Sequence, residues 1–246
     1  MKLSQQTLNE LVSSNFQYAS VLDRFGIAFY EHPENTLQQV CNQKGLQINP
    51  ILKSLELTQN IGNEEVKSLS KISAKMLVEY LRKAHALFMK DRLPYLNRLV
   101  QHLDFKTNPI AKDLQILVPL FAEDFINHIH EEEDTLFAYI LQLNTVNHAD
   151  CRWGDLYQMV EKYAIAHFAD DHETHDDEMK GIRDITRGYI LPDHAGLLWQ
   201  VVYAELQVFE KELQFHAHVE NHILFPKALV LEKLVKEKIA RLSLLN

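Results

Sequence analysis

Histidine and glutamate recur in one pattern at two places in this 246-residue chain. His128, His130 and Glu132 run on to Leu136-Phe137, and 88 residues later His216, His218 and Glu220 run on to Leu224-Phe225. Both copies read His-x-His-x-Glu-x-x-x-Leu-Phe. On a helix, residues four apart share one face about a turn apart, so the first His and the Glu of each copy stand together. The Leu four residues further continues that face into apolar surface. A neutral imidazole stacked on a carboxylate beside core residues makes half of a metal site, and nitrogen with oxygen donors suits iron, manganese or zinc. His130 and His218 point about 160° away from these pairs, toward solvent or a supporting role.

Such half-sites need helices that bring further ligands to the same height. From residue 65 the chain is predicted to form long amphipathic helices. The first, 66–103, carries apolar residues at Leu69, Ile72, Met76, Leu77, Tyr80, Leu81, Ala84 and Phe88, a period near 3.6. The others are predicted at 110–144, 153–186 and 193–235, with Pro94 and Pro226 expected to bend the first and last. Glycine is scarce and no stretch alternates as a strand does. The expected fold is therefore all-α: an up-down-up-down four-helix bundle over 65–246. A small helical domain over 1–60 precedes it, with helices near 7–13, 18–25, 37–44 and 51–57. Gly26 and Gly45 act as stops, 27–35 is a loop, and 58–64 is the linker.

Same-level residues on successive antiparallel helices recur at similar steps when the site lies near mid-height. His85, His128, His172 and His216 are separated by steps of 43, 44 and 44 residues. Glu132 and Glu220 follow one turn along two of the four helices. His175 shares a similar face with His172 and stays an alternative on the third helix. Asp176, one turn beyond His172, favours the latter. Four His and two Glu exceed what one tetrahedral zinc takes. They suit two metal ions with the carboxylates bridging and an oxide or hydroxide between the ions. Without an ion, two core carboxylates would each cost several kcal/mol or take up protons. The competing reading is a bundle whose polar faces merely carry some of the thirteen His.

The net charge of −9 and pI of about 5.8 argue against nucleic acid and anionic membranes as partners. No apolar run approaches a membrane span, and the first residues lack the apolar core of a signal peptide. Cys41 and Cys151 are the only cysteines, too few for a disulfide framework or thiolate metal site. Together these features point to a cytoplasmic protein.

The chain resembles the hemerythrin-like di-iron bundle family, with its HHE cation-binding domain, and more closely the Repair of Iron Centres subfamily. The second-helix motif, His-x-x-x-Glu-Glu-x-x-Leu-Phe, is met by His128, Glu132, Glu133, Leu136 and Phe137. The fourth-helix motif is met by His216, Glu220, Asn221, Leu224, Phe225, Pro226 and Ala228. His172 precedes Ile182-Arg183-Asp184-Ile185-Thr186 by ten residues, as the third-helix motif requires, and His85 precedes Leu93-Pro94. At the N-terminal domain the family reads Gly-Ile-Asp-Phe-Cys-Cys-Gly-Gly and then Thr-Leu. Here Gly26 to Pro33 and then Thr36-Leu37 stand in that register, with Tyr30 and Glu31 replacing both cysteines.

The resemblance implies two iron ions held by His85, His128, Glu132, His172, His216 and Glu220, with zinc or manganese as substitutes. It implies a cytoplasmic stress protein that reacts with or binds O2, NO or peroxide, or donates iron, with damaged iron–sulfur proteins as partners. It is compatible with a homodimer. The alternative is an O2, NO or redox sensor or carrier without turnover, because the Tyr30–Glu31 loop offers no thiol.

Overall fold

The structure, a computed structural model, describes residues 2–57, 68–106, 108–148, 165, 168 and 178–243. Among these residues the regular secondary structure is helical, and β pairing is limited to one isolated bridge between Thr7 and Thr36. The chain divides into two compact units. One comprises Met1–Asn63, Arg92–Pro119 and Gly181–Glu210; the other comprises Glu64–Asp91, Leu120–Lys180 and Lys211–Asn246.

In the first unit, α1 (Leu8–Ser14), α2 (Gln17–Arg24), α3 (Leu37–Lys44) and α4 (Ile48–Leu57) follow one another closely. Capping boxes open α1 and α3: Thr7 with Glu10, and Thr36 with Gln39, each satisfy two otherwise unpaired backbone N–H groups. Gly26 (φ 71°) and Gly45 (φ 67°) follow α2 and α3 in the left-handed conformation that side chains disfavour. Leu8, Leu11, Leu22, Leu37, Val40, Ile51 and Leu55 are fully buried among these helices. The 27–35 segment is turns and irregular chain, as its sequence predicts.

Three further stretches are helical, and each is interrupted by one π turn. They are α5 (Ala74–Leu87), π1 (Phe88–Arg92) and α6 (Leu93–Gln101); α7 (Ile110–Glu132), π2 (Glu133–Phe137) and α8 (Ala138–His148); and α10 (Leu197–Val219), π3 (Glu220–Leu224) and α11 (Phe225–Ser243). The first starts later than the expected residue 66, at a cap where Ser73 accepts from the Met76 N–H, after a turn at residues 70–71. The last extends past the expected 235. Of the predicted third helix, the part before residue 178 lies outside the described residues apart from 165 and 168. Its end is α9 (Lys180–Ile185), followed by Gly188 at φ 71°.

The π turns explain how two prolines fit. A proline ring clashes with the carbonyl four residues back, and the wider π turn moves that carbonyl aside. Lys90 of π1 stands four before Pro94, and His222 of π3 stands four before Pro226. Proline alone does not call for a π turn, since Pro119 sits inside α7 without one. In π2 the Thr135 hydroxyl donates to the Glu131 carbonyl at 2.6 Å. The three turns share a position: each begins within three residues of a buried His or Glu, namely His85, Glu132 and Glu220.

In the second unit, α8 packs against α5 and α11. Its core includes Leu77, Leu81, Leu136, Phe137, Ile140, Val219, Leu224 and Ala228. Both Leu-Phe pairs of the repeated motif are buried there. Burial of such side chains contributes roughly 1.5–3 kcal/mol each, which fixes the helix faces that carry the motif's His and Glu residues.

Candidate metal centre

Four polar side chains meet within this core: His85 from α5, Glu132 from the end of α7, His216 from α10 and Glu220 from the start of π3. One nitrogen or oxygen from each lies within 4.8 Å of the others. His85 and Glu220 are 1% exposed, Glu132 5% and His216 8%, so the group is shut off from solvent. His85 Nε2 lies 3.0 Å from His216 Nε2 and 3.4 Å from Glu132 Oε2. His216 Nε2 lies 2.9 Å from Glu220 Oε1. Phe137 stacks on the His85 ring at 5.4 Å, and Phe88 meets the His216 ring edge-on at 5.6 Å.

This packing sets the proton affinities. Burial, and next the nearby His85 charge, push His216 down to about 3. Burial followed by the charge of Glu220 pushes Glu132 above the ordinary carboxylate value. For His85, burial acts downward but is outweighed by hydrogen bonds to Glu132 and Glu133 and the Glu132 charge, so its pKa is raised. The contact between the two Nε2 atoms needs one nitrogen to donate and the other to accept.

A second buried acid in the same unit shows what a purely structural carboxylate looks like. Glu232, 6% exposed, accepts from the Tyr139 hydroxyl at 2.7 Å and from the Ile165 N–H at 3.3 Å, and pairs with Lys236 at 3.1 Å. At the four-residue group the acids lie against imidazole nitrogens, Glu132 against His85 and Glu220 against His216. Two imidazole nitrogens 3.0 Å apart are close enough to be donors to one ion. The donor set of two imidazoles and two carboxylates fits iron, manganese or zinc.

The six residues singled out by spacing fare differently. His85, Glu132, His216 and Glu220 come together. His128 does not join them: its side chain is 38% exposed, stacks near Phe125 at 6.2 Å, and has Glu178 at 3.9 Å. His172 and its alternative His175 lie outside the described residues. His130 and His218 are exposed, as their helical phase requires.

Sequence reasoning missed two acids. Glu178 is the neighbour of His128. Glu133 Oε1 lies 2.9 Å from His85 Nδ1, with Arg82 Nε 3.8 Å from its other oxygen. The doubled Glu132-Glu133 was the available signal. An α-helix turns consecutive residues about 100° apart, which hides the fact that two neighbours can serve two edges of one ring.

Comparison with known proteins places this geometry in context. No protein-family model matches the chain. It is 23% identical over 232 residues to the iron-sulfur cluster repair protein ScdA of Staphylococcus epidermidis, covering 92% of this chain and 99% of that protein. It is 25% identical over 235 residues to a probable iron-sulfur cluster repair protein of Haemophilus influenzae, covering 93% and 99%. Against the iron-sulfur cluster repair protein YtfE of Pectobacterium atrosepticum it is 36% identical over 156 residues, covering 51% of this chain and 69% of that protein.

Proposed function

Because the chain belongs to the family of iron–sulfur cluster repair proteins, we propose that it is a non-haem di-iron protein serving damaged iron–sulfur centres. The observation that carries this reading is the buried group of His85, Glu132, His216 and Glu220. In this reading residues 65–246 form a hemerythrin-like four-helix bundle, preceded in the chain by a small domain at 1–60. His85, His216, Glu132 and Glu220 would hold iron, the imidazoles as nitrogen donors and the carboxylates as oxygen donors. His128, beside Glu178, and His172 would complete the second position. A bound pair of irons supplies reversible one-electron chemistry and binding positions for O2, NO or peroxide. The chain's own residues hold the two carboxylates in place and exclude water through Phe88 and Phe137, and a bound ion would displace any proton held on His85 Nε2 or Glu132, whose proton affinities are both raised.

The test is elemental analysis with an absorption spectrum of protein purified without chelator. About two irons per chain and an oxo-to-iron charge-transfer band are expected. Less than about half an iron per chain after iron-replete expression, with zinc also absent, overturns the proposal.

One observation favours a second reading, a sensor or carrier. The loop where relatives of this family would carry paired cysteines has Tyr30 and Glu31, and Tyr30 packs on the His102 ring at 4.6 Å. Cys41 is buried. Reversible O2 or NO binding without turnover, and without recovery of a damaged iron–sulfur enzyme on mixing, would select this reading.

A further inference from the structure

We propose that Glu133 is the positioning residue of the metal centre: it fixes the orientation and tautomer of His85 so that the Nε2 lone pair faces His216 and Glu132. The inference rests on the reading of the four buried residues as metal ligands, which Glu133 does not join.

The His85 ring is 1% exposed and lies against Phe137 with planes 4° apart, so its plane is set by packing. Packing by an apolar ring cannot decide which nitrogen carries the proton. A carboxylate 2.9 Å from Nδ1 can, because it only accepts: Nδ1 must donate, and Nε2 is left to bind a cation. Glu133 is itself held. Its other oxygen lies 3.8 Å from Arg82 Nε, and Arg82 reaches back to Glu79 at 3.7 Å.

Glu133 stands where α7 gives way to π2. It is the first residue of π2, directly after Glu132, and the two acids address opposite edges of the same imidazole. His216 lacks such an arrangement: its Nδ1 is buried with no hydrogen-bond partner among the described residues. The two imidazoles are thus unequal. A carboxylate partner on the far nitrogen raises ligand basicity, so His85 is the stronger donor of the pair.

The test titrates Co2+ into metal-free wild type, Glu133→Ala and Glu133→Gln, following the visible d–d bands and the thermal midpoint of each metal-free protein. Glu133→Ala is expected to raise the Co2+ dissociation constant about 10- to 100-fold and to alter the d–d spectrum. Glu133→Gln keeps an acceptor oxygen and loses the charge, so it should fall between the two. Should Glu133→Ala fail to fold, the Gln variant carries the test with about a threefold weakening or more. A variant affinity within about twofold of a Co2+-binding wild type, with an unchanged spectrum, overturns the role of Glu133 alone. A wild type that binds no Co2+ overturns the metal-centre reading and this inference with it.

Discussion

The segment from His216 to Phe225 and the segment from His128 to Phe137 share one sequence pattern and occupy different surroundings. In the later copy the His and the Glu are both buried and meet at 2.9 Å. In the earlier copy Glu132 is buried and its oxygen lies 3.4 Å from His85, while His128 is 38% exposed and stands 3.9 Å from Glu178. The Leu-Phe ends of both copies are equally buried, so core packing does not separate them. Two differences are visible along the helices. The π turn begins on the Glu itself in the later copy and one residue after it in the earlier one. The earlier copy also continues into a second acid, Glu133, where the later has Asn221. Equal spacing thus supplies an equal chance of a His–Glu pair, and the neighbours decide whether the pair forms.

The largest expected contrast lies in metal content. His216→Ala should remove essentially all bound iron, because that imidazole touches both His85 and Glu220. His128→Ala should retain about one ion per chain, losing only the second position. Iron per chain after identical purification checks this, and equal losses would make the two copies equivalent in the loaded protein.

Next in size is the effect of a buried charge without its metal. Glu132→Gln should stabilise the metal-free protein by about 2 kcal/mol, or about 6 °C, by removing a desolvated acid beside Glu220. The same change should weaken metal binding. Calorimetry of chelator-treated protein reads it, and a lower midpoint would show that the carboxylate is already satisfied in the fold.

The smallest effect is in pH dependence, where the copies have opposite signs. His216 is lowered from 6.5 to about 3, so between these values the unfolded chain binds a proton that the folded chain refuses. Stability from His216 is present above 6.5 and is lost as pH falls. Glu132 is raised above 4.5 and His85 above 6.5, so each keeps its proton longer when folded. Their contribution is present below those values and is lost as pH rises through the folded values. Thermal midpoints of metal-free wild type, Glu132→Gln and His216→Ala from about pH 4 to about pH 9 should show a maximum in the wild type. The acid limb should flatten in His216→Ala and the alkaline limb in Glu132→Gln; superimposable curves would remove the asymmetry between the copies.

Much of the fold was legible because it is local chemistry. Thr7 and Thr36 announce helix starts by the acid or amide three residues on, and Gly26 and Gly45 announce stops, so the N-terminal helices fall within a few residues of expectation. Pro94 and Pro226 marked real irregularities, though the bend expected at each is a π turn placed just before it. Nothing in the residues around Thr135 announced the third π turn.

At the site, the sequence by itself determined which residues could share a helix face: His216 with Glu220, and a phase that sends His130 and His218 to solvent. The near-equal steps also picked out His85, which has no Glu four residues away on its own helix. Tertiary structure decided the partnerships. Helix periodicity fixes direction around one axis, but not which ring on a neighbouring helix an acid meets. Glu132 therefore stands with His85 while His128 faces Glu178, and Glu133, one residue off the expected face, closes on the far edge of the same imidazole.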